Sequence, residues 1–203
     1  MASDALKDFV SGYSIEVVPN SAAKVESFAE TLPANTRVYI AHLSEKEDIK
    51  TMVATAKRIN AEGFSVMPHI PARIIKDKNM LTEWLSMYQN EANVSEALLL
   101  AGGSSQPLGE FDSSMQLIET GEFDKLGFKR LHVAGHPEGS KDIDPDGGKK
   151  NTSSALSWKQ EFSKRTDAKM AIATQFCFDA NTVISWAENL KKDGIDIPIH
   201  IGI

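Results

Sequence analysis

The sequence predicts an α/β fold of the (β/α)8 TIM-barrel type, incomplete, with seven strands where a closed barrel has eight. Three observations predict it. Short apolar runs alternate with amphipathic stretches along the 203 residues, at the spacing of about 25 to 35 residues usual for βα units. Right-handed crossovers between such units give a parallel sheet. Nearly every apolar run also ends in a polar residue or a glycine, as strands do when their C-terminal tips share one site. A doubly wound open sheet competes, but no Gly-x-Gly-x-x-Gly follows the first strand, which runs into Val18-Pro19-Asn20.

In chain order, strands are expected at 13–18, 37–43, 65–70, 97–100, 130–134, 171–178 and 197–203. Their β-branched, aliphatic and aromatic content suits strands buried on both faces. A helix is expected at 21–31, where Ala23, Val25, Phe28 and Ala29 fall near helical spacing behind Asn20 or Ser21 as a cap. The stretch 48–62 aligns Ile49, Met52, Val53, Ala56 and Ile59 on one stripe and stops before Gly63. Amphipathic helices follow at 79–92 and 113–120, the second ended by Gly121. Two more are expected at 153–164 and 181–192, the last with Asp179 or Asn181 as N-cap and Gly194 at its close. The stretch 137–154, rich in Gly, Asp, Lys and Ser, reads as a long βα loop over the strand tips. Trp84, Trp158 and Trp186 lie on helical stripes and are expected in helix packing.

One barrel domain over 1–203 is expected. Closed barrels use eight strands and usually about 250 residues. The chain is therefore read either as a C-terminally truncated fragment or as a barrel whose gap is filled by another segment or subunit. Open strand edges favour association, so a homo-oligomer is expected. The net charge is −6 with no long basic run, which argues against nucleic acid or an anionic membrane as partner. No apolar run approaches the roughly 20 residues of a membrane span, and the polar N-terminus lacks a secretory h-region. The single Cys177 excludes an intrachain disulfide and fits a reducing, cytoplasmic location. Lying within an apolar run, it reads as a packed core thiol.

The strand-end residues, in order, are Glu16, His42, His69, Gly102 with Gly103, His136 with Glu138, Gln175 and Gly202. In a barrel they converge on one pocket. Glu16 stands between aliphatic residues, so burial is expected to raise its pKa and suit it to general acid work near neutrality; an ion pair with Arg73 is the alternative. Gln175 lies in an apolar run, and a buried amide must be hydrogen-bonded, to a ligand or as a brace of the protein. His69 and His136, each before turn-like sequence, point to ligand binding. Gly102-Gly103-Ser104-Ser105 would let backbone N–H groups approach a phosphate. His42, His69, His136 and Glu138 have the chemistry of zinc ligands, without a His-x-His or His-Glu-x-x-His spacing.

The order of short motifs adds a family resemblance. Ile15-Glu16-Val17-Val18-Pro19, Pro68-His69, His136-Pro137-Glu138, Thr174-Gln175-Phe176-Cys177-Phe178-Asp179 and His200-Ile201-Gly202-Ile203 together resemble the methylenetetrahydrofolate reductases, flavin-dependent barrels, across nearly the whole chain. The resemblance implies FAD at the C-terminal face, reduced by NADH or NADPH, and hydride transfer to a methylenetetrahydrofolate substrate to give methyltetrahydrofolate. It implies Glu16 as the catalytic acid and Gln175 and Phe176 as folate contacts. His69, Gly102, Gly103, His136, Glu138 and Lys164 would then contact the flavin. Ala101-Gly102-Gly103 stands where that family has Arg-Gly-Asp, which suits the alternative of a flavin-free tetrahydrofolate-binding or methyl-transfer protein on the same barrel.

Overall fold

All seven expected strands form, all parallel, and they pair in chain order. The computed structural model describes residues 4–203. The elements are α1 Asp4–Val10, β1 Ser14–Val17, α2 Pro19–Ala22, β2 Arg37–Ile40, α3 Ile49–Ala61 and β3 Ser65–Pro71. After a 3-10 turn at Ala72–Ile74 come α4 Lys78–Ala92, β4 Glu96–Leu100, α5 Ser114–Glu119, α6 Glu122–Lys125 and β5 Arg130–Gly135. The chain continues through α7 Lys150–Ser163, β6 Lys169–Phe176, α8 Ala180–Lys192 and β7 Ile199–Gly202. Among the described residues β1 and β7 do not pair with each other, and no helix is long and apolar enough to cross a membrane.

The side chains show that the sheet is curled. Tyr39 Oη on β2 lies 2.6 Å from His132 Nδ1 on β5. In a flat sheet those strands, three places apart, would stand about 14 Å from one another. At the N-terminal end of the strands, Arg37 Nε of β2 lies 2.7 Å from Glu96 Oε2 of β4, and Arg130 Nε of β5 lies 3.3 Å from Glu96 Oε1. The product is an unclosed barrel of the incomplete TIM type.

The period-2 alternation of strand side chains sorts the core into two parts. Val38, Ile40, Leu99, Val133 and Ile172 face outward and join the apolar stripes of α3, α4, α7 and α8 in the main core. Tyr39, Met67 and Leu98 face the lumen, with Leu100 and Ala173 packed on them. Of the tryptophans, Trp84 and Trp186 are buried in the helical layer, and Trp158 stacks on Phe162 with ring centroids 5.7 Å apart.

Caps place several helix starts. Asp77 accepts from the Met80 N–H at 2.8 Å. Asp179 accepts from the Asn181 and Thr182 N–H groups at 3.0 and 3.2 Å, so Asp179 is the expected cap. The start of α7 is set by Asp144, which accepts from the Asn151 and Thr152 N–H groups at 2.8 and 3.0 Å. The helix therefore begins at Lys150, within the stretch expected to be loop.

The helix expected at 21–31 is corrected: only one turn forms, at Pro19–Ala22. The cause lies on α3. The Arg58 guanidinium donates to the carbonyls of Ala22, Val25 and Glu26. The Glu62 carboxylate, just past the end of α3, accepts from the Phe28 N–H at 2.6 Å and the Ala29 N–H at 3.4 Å. Backbone groups that a helix would pair internally are thus satisfied by side chains. Cys177 is also corrected: β6 ends at Phe176, and the thiol is only half-buried beyond it.

Gly135 sits where β5 meets the helical layer. A Cβ there would approach Ile172 Cγ2 to 2.5 Å and Trp186 Cη2 to 3.0 Å. Gly135→Ala is expected to cost about 1–3 kcal/mol through overpacking, read as a lower urea midpoint with an unchanged slope.

Candidate functional site

Because every strand runs the same way, their C-terminal tips share one end of the barrel. There β1 and β3 bring together Glu16 and His69. His69 Nε2 lies 3.1 Å from Glu16 Oε2; the imidazole is 10% exposed and the carboxylate 58%. Nε2 is buried and, among the described residues, makes no hydrogen bond of standard geometry. The imidazole meets Tyr39 edge to face, with centroids 6.3 Å apart.

The His69 contact holds the Glu16 carboxyl below the usual carboxylate range, against a smaller opposing effect of burial. This corrects the expected rise. Ile15 and Val17, its neighbours in sequence, point the other way and pack on the helical core, so Glu16 does not lie among them. The alternative ion pair with Arg73 is not made either. Arg73 Nε lies 2.8 Å from Asp112 Oδ1, and Nη1 lies 2.8 Å from Asp142 Oδ2, while Nη1 also donates to the Ser104 carbonyl at 3.0 Å.

Deeper in the lumen lies a layer that the strand ends do not reveal. His132 is fully buried. Its ring touches Tyr39 and sits 4.9 Å, centroid to centroid, from that of His200 on β7. Burial, then the charges of His200, Arg37 and Arg130, push the His132 pKa down to about 3. Burial pushes the Tyr39 hydroxyl up to about 12. Both groups are neutral at physiological pH. His132 was detectable in principle: it lies level with Leu98 and Ala171 in register, on the parity that faces the lumen.

The remaining expected residues separate. Gln175 is exposed, beside the register shift between Ala173 and Phe176, and its amide has no partner among the described residues. Phe176 and Phe178 are 53% and 87% exposed, their rings 4.8 Å apart. Glu138 accepts from the Phe178 and Asp179 N–H groups at 3.0 and 3.2 Å, clamping the loop after β5 to the loop after β6. Gly102, with φ +99°, would put a Cβ 2.9 Å from Pro71 Cβ, whereas a Cβ on Gly103 would meet open space. His136 is half-buried over α7, where burial and then the Lys159 charge depress its pKa. His42 turns away from the lumen and stacks on Trp84 of α4, centroids 5.2 Å apart. Lys164 caps the C-terminal end of α7 and pairs with Glu161 at 2.6 Å. Helices run back from the tips, so Lys164 sits at the opposite end of the barrel and is not brought to the site.

Among the described residues no group of three or more His, Cys, Asp or Glu is placed to hold a metal ion. The fit to a flavin is also poor. The β4 tip, Ala101-Gly102-Gly103, carries no cation, and Arg73 beside it is matched by Asp112 and Asp142, so a pyrophosphate there would find no free charge.

No family model matches the chain. Among solved structures, it is similar to a GH10 endoxylanase retrieved from a sugarcane soil metagenome, at 9% identity and a TM-score of 0.50, with 96% of this chain and 68% of that one covered. A likeness at this identity carries the fold alone. The expectation of a methylenetetrahydrofolate reductase, with its flavin-free folate alternative, is corrected here: the barrel named above is a glycosidase, and nothing in the comparisons points to the reductase family. Motifs of two to six residues at strand tips are brought into similar positions by the barrel itself.

Because Glu16 is more than half exposed, solvent screens its pairing with His69, and Glu16→Gln is expected to cost no more than about 1 kcal/mol at pH 7. The folded-state pKa is lowered, so this contribution is present above pH 4.5, the ordinary value, and lost as pH falls through the folded value. In a carbon-13 NMR titration the Glu16 carboxyl midpoint is expected below 4.5, and His69→Asn should move it upward. A midpoint above the ordinary value in the wild-type protein would refute the assignment.

Proposed function

We propose that the chain is a TIM-barrel enzyme domain whose open face performs base-catalysed proton abstraction, with Glu16 as the general base. The observation that carries this reading is the 3.1 Å contact between the exposed Glu16 carboxylate and the buried His69 imidazole. A carboxylate kept ionised and facing solvent at a strand tip can take a proton from a bound ligand. His69 is a positioning residue: it fixes the carboxylate and keeps it ionised, and so able to accept a proton, at neutral pH. The exposed Gln175 amide supplies a hydrogen-bonding edge. Phe176 and Phe178 supply an apolar rim, so the ligand class is a small molecule with a planar apolar body and a polar edge.

The endoxylanase likeness does not bring its chemistry to this site. Sugar-cleaving barrels flank the scissile bond with two carboxylates about 5–9.5 Å apart. Of the other acidic residues near the tips, Glu138 is committed to the Phe178 and Asp179 N–H groups, and Asp112 and Asp142 to Arg73.

Deuterium wash-in tests the proposal. The protein is incubated in D2O with a panel of small aromatic ketones and arylacetic thioesters, and exchange at the acidic C–H is followed by proton NMR. Glu16→Gln is expected to slow exchange about 10²–10⁴-fold, and Gln175→Ala to raise KM with a smaller change in kcat. Exchange that is undiminished in a folded Glu16→Gln variant would end the proposal.

A further inference from the structure

Outside the lumen, between α7 and α8 and against the tip of β5, lies a cleft of about 280 Å³. One wall is apolar, built from Leu156, Trp186 and Leu190. Lys159 of α7 lines the cleft and is 5% exposed. Among the described residues no hydrogen bond or ion pair holds its ammonium. Burial alone pushes its pKa down to about 8, so it is still mostly charged at pH 7.

The Lys159 stem is packed while its ammonium opens on the cleft, where a counter-charge offsets the cost of partial desolvation. The backbone of α7 is not free to carry Lys159 outward. At its start Thr152 is bonded to Asp144 at 3.0 and 2.9 Å. Beside Lys159, Gln160 Oε1 accepts from the Asp196 N–H at 2.9 Å and the Ile197 N–H at 3.3 Å. The other charged residues lining the cleft are Lys149, Lys192 and Asp193, with His136 near the β5 tip. Cations outnumber the single carboxylate, and none is paired to it.

We propose that this cleft binds a small organic anion, a single carboxylate on an apolar body, with Lys159 as its counter-charge. The apolar wall takes the body. The apolar wall of Leu156, Trp186 and Leu190 gives an organic body a surface to bury, which inorganic phosphate has no group to use. The site is separate from the Glu16 face and does not depend on the proposal made for it.

The test is calorimetric titration of the whole protein at pH 7 with 1-naphthoate and with 1-naphthalenemethanol, which has the same body without the charge. One naphthoate is expected per chain, with the alcohol at least about 10-fold weaker. Lys159→Met, which keeps the apolar stem, is expected to weaken naphthoate by at least about 10-fold. Failure of naphthoate to bind at millimolar concentration, or equal binding of the alcohol, overturns the proposal on the wild-type protein alone, whatever the variant's folding. Undiminished naphthoate binding by a folded Lys159→Met variant also overturns it. Inorganic phosphate displacing naphthoate with equal affinity would overturn the assignment of a carboxylate on an apolar body.

Discussion

The curl of the sheet depends on the contact between Tyr39 and His132. Each is buried, and each carries a polar atom that needs a partner once water is gone. They meet at 2.6 Å across two intervening strands, a distance that only a curled sheet allows. The Arg37–Glu96–Arg130 group ties the same strands together at their N-terminal end. The two contacts hold β2, β4 and β5 to one curvature. That curvature turns the tips of β1 and β3 toward each other, and Glu16 meets His69 as a result.

The lumen is more polar than a barrel interior filled with layers of branched aliphatic residues. His132 keeps one ring nitrogen without a partner, and an unsatisfied buried group of this kind costs about 1–3 kcal/mol. The chain tolerates it because the imidazole is neutral: burial and the nearby cations all oppose its protonation. The helical layer holds another buried imidazole, His42, whose pKa burial lowers and which stacks on Trp84.

Strand positions were legible because β-branched runs recur at regular intervals, and their parallel pairing followed from the helices between them. The short α2 was not legible, since the Arg58 and Glu62 side chains that displace a longer helix lie more than thirty residues away. Glu16 was legible as a strand-tip carboxylate, but its charge state was not. That state is set by His69 across β2, whereas Ile15 and Val17 beside it in sequence face the opposite side of the sheet. His132 was not legible as a lumen residue because it lies within a strand, where parity rather than position marks the lumen. Lys164 was misplaced because helix direction, not distance along the chain, decides which end of the barrel a residue reaches. Gln175 was read as a buried amide, but the register shift in β6 turns it to solvent.

The edges of β1 and β7, which do not pair with each other among the described residues, leave the cavity open along one flank. Glu16, on that flank, is well hydrated and ionised, while His132 on the far wall is dry and uncharged. The interior is therefore electrically lopsided, wet and negative on one side and oily and neutral on the other. A dipolar guest entering it would be turned by that gradient before it touched any single residue.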